Sequence, residues 1–129
     1  MKALIKSAPG KGNISLSNIP IPTPDCYEVL IKVHTAGVCG TDIHLFHDRF
    51  KNSPPFVLGH EFSGIVENIG SEVEGIKLGD RVVSANNPYA CGVCKLCLTG
   101  YPNLCSQKKA MGIHSDGCFA EFIKLPANL

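Results

Sequence analysis

Four of the seven cysteines fall within the stretch "CGVCKLCLTGYPNLC", at Cys91, Cys94, Cys97 and Cys105. Thiolates three residues apart let a short loop wrap one side of a metal ion, and a fourth from across the loop closes a tetrahedron. Zinc is the ion this chemistry favours. With four protein ligands no position stays open, so such a site would stabilise the chain and not react. Disulfides are the competing reading, but the cysteine count is odd and their clustering favours a metal. A zinc ribbon for nucleic acid would separate its cysteine pairs by a longer, basic insert. Here Lys95, Lys108 and Lys109 are the only local cations.

A second group is more dispersed. "VLGHEFSGIV" sets His60 beside Glu61 in an apolar stretch, where two ionisable groups are costly unless something uses them. Cys39 lies where the strand-like "VHTAGV" gives way to "GTDIH". A cysteine and a histidine so far apart in sequence are weak evidence of a metal, and a buried structural pair is the competing reading. Gly59 and Gly64 shift the balance, because they let backbone pack closely around the pair. Glu61 does too, as an unpaired carboxylate is expensive to bury.

These residues need elements to position them. "YEVLIKVHTAGV" alternates, with Val29, Ile31 and Val33 on one face and Glu28, Lys32 and His34 on the other. "KALIK", "SGIVENIG", "GDRVVSA" and "CFAEFIKL" read as further short strands. Only "GTDIHLFHDRF", residues 40–50, reads as a helix, with Thr41 able to cap it and Asp42 in its first turn. Segment 86–116 has little periodicity, and a loop that long needs an organiser, which a metal could be. Many short strands with Gly- and Pro-rich turns predict a mainly β fold, a barrel or sandwich.

At 129 residues the chain is a natural size for one domain, and 44% apolar with 18% charged residues is ordinary for a soluble globular protein. A net charge of +1 supplies no field for steering nucleic acid or an anionic membrane, so neither is expected as a partner. No apolar run approaches the roughly 18 residues of a transmembrane helix. The opening "MKALIKSAPGKG" lacks a secretory signal's apolar region, and the expected location is the cytoplasm.

The residues also resemble a known family. "GHEFSGIVENIGSEV", with Gly59, His60, Glu61, Gly64, Gly70 and Val73 in register, is similar to the zinc-containing medium-chain alcohol dehydrogenases. "GVCGTDIH" and the four-cysteine loop resemble that family in the same order, and the likeness runs from "KALIK" to "GCFAEFIKLPANL". Within it, "CGTDIH" and "GHEFSG" look most like the polyol, threonine and sugar-alcohol branch. The resemblance implies that residues 1–129 form a catalytic domain with a GroES-like β-barrel, a few short helices and a zinc-organised loop. It implies a catalytic zinc on Cys39 and His60, with Glu61 a ligand in some states and an outer carboxylate in others. It makes Cys91, Cys94, Cys97 and Cys105 the ligands of a structural zinc. Asp42 would hydrogen-bond the zinc-binding histidine, Thr41 would contact the substrate alcohol, and His44 would pass its proton to solvent. Without the family, Thr41 is a helix cap and His44 a surface histidine. The resemblance further implies NAD or NADP as cofactor, a small alcohol or polyol as substrate, and leaves room for a homo-oligomer.

Some residues carry no role on this reading. His34, His47 and His114 are expected to face solvent, Cys118 to be a small core residue, and Cys26 falls outside both clusters. "GKGNIS", the nearest approach to G-x-G-x-x-G, lacks the third glycine, and no βαβ alternation is apparent. The expectation is a catalytic domain without its coenzyme-binding Rossmann domain, inactive by itself. The competing expectation is a non-catalytic zinc-binding interaction module.

Overall fold

The computed structural model describes every residue except Phe50, Pro88, Asn128 and Leu129. Among the described residues, β1 (Lys2–Lys6), β2 (Ile14–Asn18) and β3 (Glu28–Gly37) precede helix α1 (Gly40–Phe46). Then come β4 (Phe56–Val57), β5 (Glu61–Ile69) and β6 (Arg81–Val83), helix α2 (Lys95–Leu98), a 3₁₀ turn at Pro102–Leu104, and β7 (Phe122–Pro126). The strands form two sheets, ordered β2-β1-β4 and β6-β5-β3-β7, and every strand pairing is antiparallel.

The expected barrel is not what forms. The chain adopts a mixed α/β fold with two open sheets, in which strand outweighs helix and neither sheet closes. Closure needs every strand paired along both edges. Here β2 and β6 end their sheets, and β4 and β6 are only two and three residues long. What joins the sheets is an irregular segment instead of a ladder. The amide of Leu4 donates to the Phe119 carbonyl at 2.8 Å and that of Phe119 to Leu58 at 2.8 Å, with one isolated bridge between Ala3 and Ala120.

The inner face of β3 is as expected, although Leu30 on its other face is buried too. Val29 and Ile31 are buried with Val66, Met111, Cys118, Ile123 and Leu125, while Lys32 and His34 face solvent. The β3–β5 pairing carries two irregularities, one between Leu30 and Ile31 and one between Val33 and Thr35. The first leaves Glu67 as an extra residue in β5 and the second leaves His34 as an extra residue in β3, so the two bulges cancel. Register at Glu61–Gly37 is thereby the same as at Ile69–Val29. A second core, of Leu45, Phe56, Leu58 and Ile113, holds α1 against the first sheet.

Helix α1 is shorter than expected, and its cap lies two residues earlier, at Cys39 and not Thr41. It stops at Phe46; Phe50, in the expected helix, lies outside the described residues. The strand expected over "CFAEFIKL" starts only at Phe122, because 117–121 is the segment that ties the sheets together. No described helix is long and apolar enough to cross a membrane.

Candidate metal centres

The four-cysteine loop builds its site locally. Cys94 caps α2, which carries Cys97, and the 3₁₀ turn delivers Cys105. The four sulfurs lie within 4.8 Å of one another. Three pairs are resolved as contacts: Cys94–Cys97 at 3.5 Å, Cys91–Cys97 at 3.9 Å and Cys94–Cys105 at 3.9 Å. Zinc–thiolate bonds of about 2.3 Å at tetrahedral angles put sulfurs about 3.8 Å apart, so the spacing fits that ion. It does not fit disulfides, whose sulfurs sit about 2.05 Å apart, and all seven cysteines are free thiols.

Backbone N–H groups already prepare the loop for anionic sulfur. The amides of Val93 and Cys94 hold the Cys91 thiol below its ordinary pKa, and the amide of Cys97 does the same for Cys94. Desolvation, reinforced by the neighbouring Cys94 thiol, pushes Cys97 up to about 12. Two sulfurs therefore lose their protons more readily than an ordinary thiol, and the third less readily. A divalent cation at their centre would reverse that resistance.

The second centre is assembled from three element ends. Cys39 stands at the head of α1, His60 just before β5, and Glu61 at the first position of β5. One donor atom from each lies within 4.8 Å of the other two. Gly59 makes the entry to His60 workable: its φ is +90°, and a Cβ there would sit 2.4 Å from the Phe119 ring. Gly64 supplies the close approach further along, where a Cβ would meet the Lys32 carbonyl oxygen at 2.5 Å.

Asp42 lies behind this group and is nearly fully buried with His60, at 6% and 5% exposure. One carboxylate oxygen accepts from the Cys39 amide at 2.8 Å, tying the helix head to its third residue. The other faces His60 Nδ1 at 3.6 Å, and both atoms lack a hydrogen-bond partner. A contraction of roughly half an ångström would join them. Two orphaned polar atoms, buried and facing each other, mark an imidazole whose other nitrogen is free for a ligand role. A thiol, an imidazole and a carboxylate suit zinc chemically, so the donor set fits that ion as well.

Thr41 is half-buried in the first turn of α1, its hydroxyl 3.8 Å from the Cys39 sulfur. His44 is exposed one turn on. His34 and His114 face solvent, and His47 is half-buried with its ring edge-on to Phe46. Cys118 is a core residue at 1% exposure, and its S–H also points to the Glu61 carbonyl at 3.6 Å. That link to the second centre carries no signal in the sequence, since nothing in the spacing relates residue 118 to residue 61.

Comparison with known proteins agrees with this geometry. Residues 25–129 match the model of the alcohol dehydrogenase GroES-like domain. The chain is 47% identical to L-threonine 3-dehydrogenase of Bacillus licheniformis, over 98% of its own length and 37% of that protein's. It is 43% identical to sorbitol dehydrogenase of Halalkalibacterium halodurans, over 95% of this chain and 36% of that one. A solved structure of cobalt- and zinc-bound thermostable alcohol dehydrogenase from Pyrobaculum aerophilum superposes with a TM-score of 0.89 at 39% identity, covering 98% of this chain and 39% of that one. The chain thus spans just over a third of the length of the proteins it matches.

Proposed function

We propose, for a chain that belongs to the zinc-dependent medium-chain alcohol dehydrogenase family through its GroES-like domain, that residues 1–129 are the catalytic domain of an NAD- or NADP-dependent dehydrogenase acting on a small alcohol or polyol. The observation that carries the reading is the convergence of Cys39, His60 and Glu61 in front of the buried Asp42, with the Thr41 hydroxyl beside them.

On this reading Cys39, His60 and Glu61 hold the catalytic zinc, and Cys91, Cys94, Cys97 and Cys105 hold the structural one. A metal held at the Cys39–His60–Glu61 centre would supply Lewis acidity, which lowers the pKa of a substrate hydroxyl. Asp42 fixes the ring of His60 and so the direction of its free nitrogen. Thr41 takes a hydrogen bond from the substrate hydroxyl and relays its proton. His44, three residues on and open to water, releases that proton to solvent. Hydride acceptance belongs to the nicotinamide, and among the described residues no βαβ unit is present to bind it. Residues 1–129 alone are therefore expected not to reduce NAD or NADP.

Metal analysis of the chain tests the reading. One tightly held zinc equivalent is expected with a second at most partly occupied, and Cys39→Ser should remove the one that mild chelation removes first. A chain that binds a single equivalent, untouched by Cys39→Ser and His60→Ala, refutes the catalytic assignment.

A further inference from the structure

We propose that Gly37 is a positioning residue of the Cys39–His60–Glu61 centre: its missing side chain is the space into which the Glu61 carboxylate folds. The inference rests on the metal-centre reading above and extends it to a residue outside the donor set. Gly37 is the last residue of β3 and pairs directly with Glu61, the first of β5. A Cβ built on Gly37 would lie 3.6 Å from the Glu61 Cβ and 3.1 Å from its Oε2. Opposed residues of an antiparallel pair ordinarily keep their Cβ atoms about 4.5–5.5 Å apart. The two strand ends thus approach about 1 Å closer than a pair with two side chains would. The carboxylate, nearer to that vacant position than its own Cβ is, turns back over the Gly37 backbone.

This closeness bears on the donors because both strand ends carry them. Cys39 follows Gly37 by two residues and His60 precedes Glu61 by one. Gly37 does not have a positive φ, so its backbone would accept an alanine. It is exposed, so an added methyl fills no core. Among the described residues, what a side chain there would meet within 4 Å is Glu61. Alanine would displace the carboxylate by a few tenths of an ångström. Valine would occupy its seat.

Cobalt titration tests this. The four-cysteine loop is first loaded with zinc, which holds its site against cobalt. Cobalt then added to the second centre is read by thiolate-to-metal absorption from Cys39 and by the ligand-field bands. Gly37→Ala should bind cobalt several-fold more weakly, and Gly37→Val about tenfold or more weakly, the range seen when a ligand's support is removed. Both should shift the ligand-field bands while the melting temperature and the loop zinc stay unchanged. In a Glu61→Ala background, Gly37→Ala should have no further effect. Unchanged cobalt affinity and spectrum in folded Gly37→Val overturns the proposal, as does an equal loss when Glu61 is already alanine. A wild-type chain whose cobalt uptake does not depend on Cys39 overturns the metal-centre reading itself, and this inference with it.

Discussion

Lys6→Met is expected to destabilise the chain by about 2–4 kcal/mol while leaving β3, β5 and β7 intact. Lys6 is a fully buried lysine at the end of β1. Its ammonium donates to the carbonyls of Gly10 and Gly12 and faces Asp48 at 4.0 Å. Asp48 in turn accepts from the Gly10 amide at 2.9 Å and from the Asn52 side chain at 3.1 Å, which together hold its carboxyl below the usual range. The Gly12 amide donates to Phe46 at the end of α1, so one buried cation fastens loop 7–13 to that helix. The two residues other than glycine with positive φ among those described, Asn13 and Asp48, both sit in this clasp. Methionine matches the stem of lysine and removes the ammonium alone. Each carbonyl left unpaired costs about 1–3 kcal/mol, taken at the low end because loop water can reach part of the way. The Asp48 ion pair is long and partly exposed, so nothing is counted for it. Urea melts measure the total, and hydrogen exchange at Gly12 and His47 locates it. A loss below about 1 kcal/mol, or opening centred on β7, would refute the reasoning.

Cys97→Ser should release one zinc and disorder the four-cysteine loop first, because metal binding and local folding are one process there; unchanged zinc content and melting temperature would contradict it. Burial disfavours the Cys118 thiolate and pushes that thiol from an ordinary 9.0 up to about 11. Its folded pKa is raised, so its contribution is whole below pH 9 and is lost as pH climbs through about 11, by about 2–3 kcal/mol. Cys118→Val should flatten the fall in stability between those pH values relative to wild type, and parallel curves would exclude the assignment. Deleting His34 leaves Val33 opposite Gly64 and Thr35 opposite Ser63, so it should remove the bulge's local twist without shifting register, and metal binding at the second centre should weaken without being abolished. Complete loss of that binding would show that the register itself, and not only the twist, depends on His34.

How far the sequence can be read depends on whether the information is local. The four cysteines lie within fifteen residues, and their spacing alone is nearly a coordinate set. The core face of β3 is legible for the same reason, since Val29 and Ile31 repeat with period two inside one strand. The open sheets are not legible, because closure depends on which edges meet. The two-residue β4 is too short to show a pattern, and β2 exposes Leu16 at 68%, so its apolar positions do not mark an inner face. Lys6 escapes notice for a related reason: a lysine in a strand reads as solvent-facing until the carbonyls that satisfy it are known.

The two centres therefore differ in what holds them. The cysteine loop needs only its own few residues, with α2 and the 3₁₀ turn as spacers, and the metal can help fold it. The Cys39–His60–Glu61 group has no such independence. Its donors come from the head of α1, two residues after β3 ends, and from the start of β5, so their distances follow the register of the β3–β5 ladder. One bulge would throw every side chain beyond it onto the opposite face. Two bulges, one in each strand, let the ladder twist locally and still bring Gly37 opposite Glu61. Alternation in the sequence can be followed only as far as Val33, because His34 is the residue at which the phase changes. The convergence of an imidazole, a thiol and a carboxylate within 4.8 Å is in this chain a consequence of where a sheet is irregular.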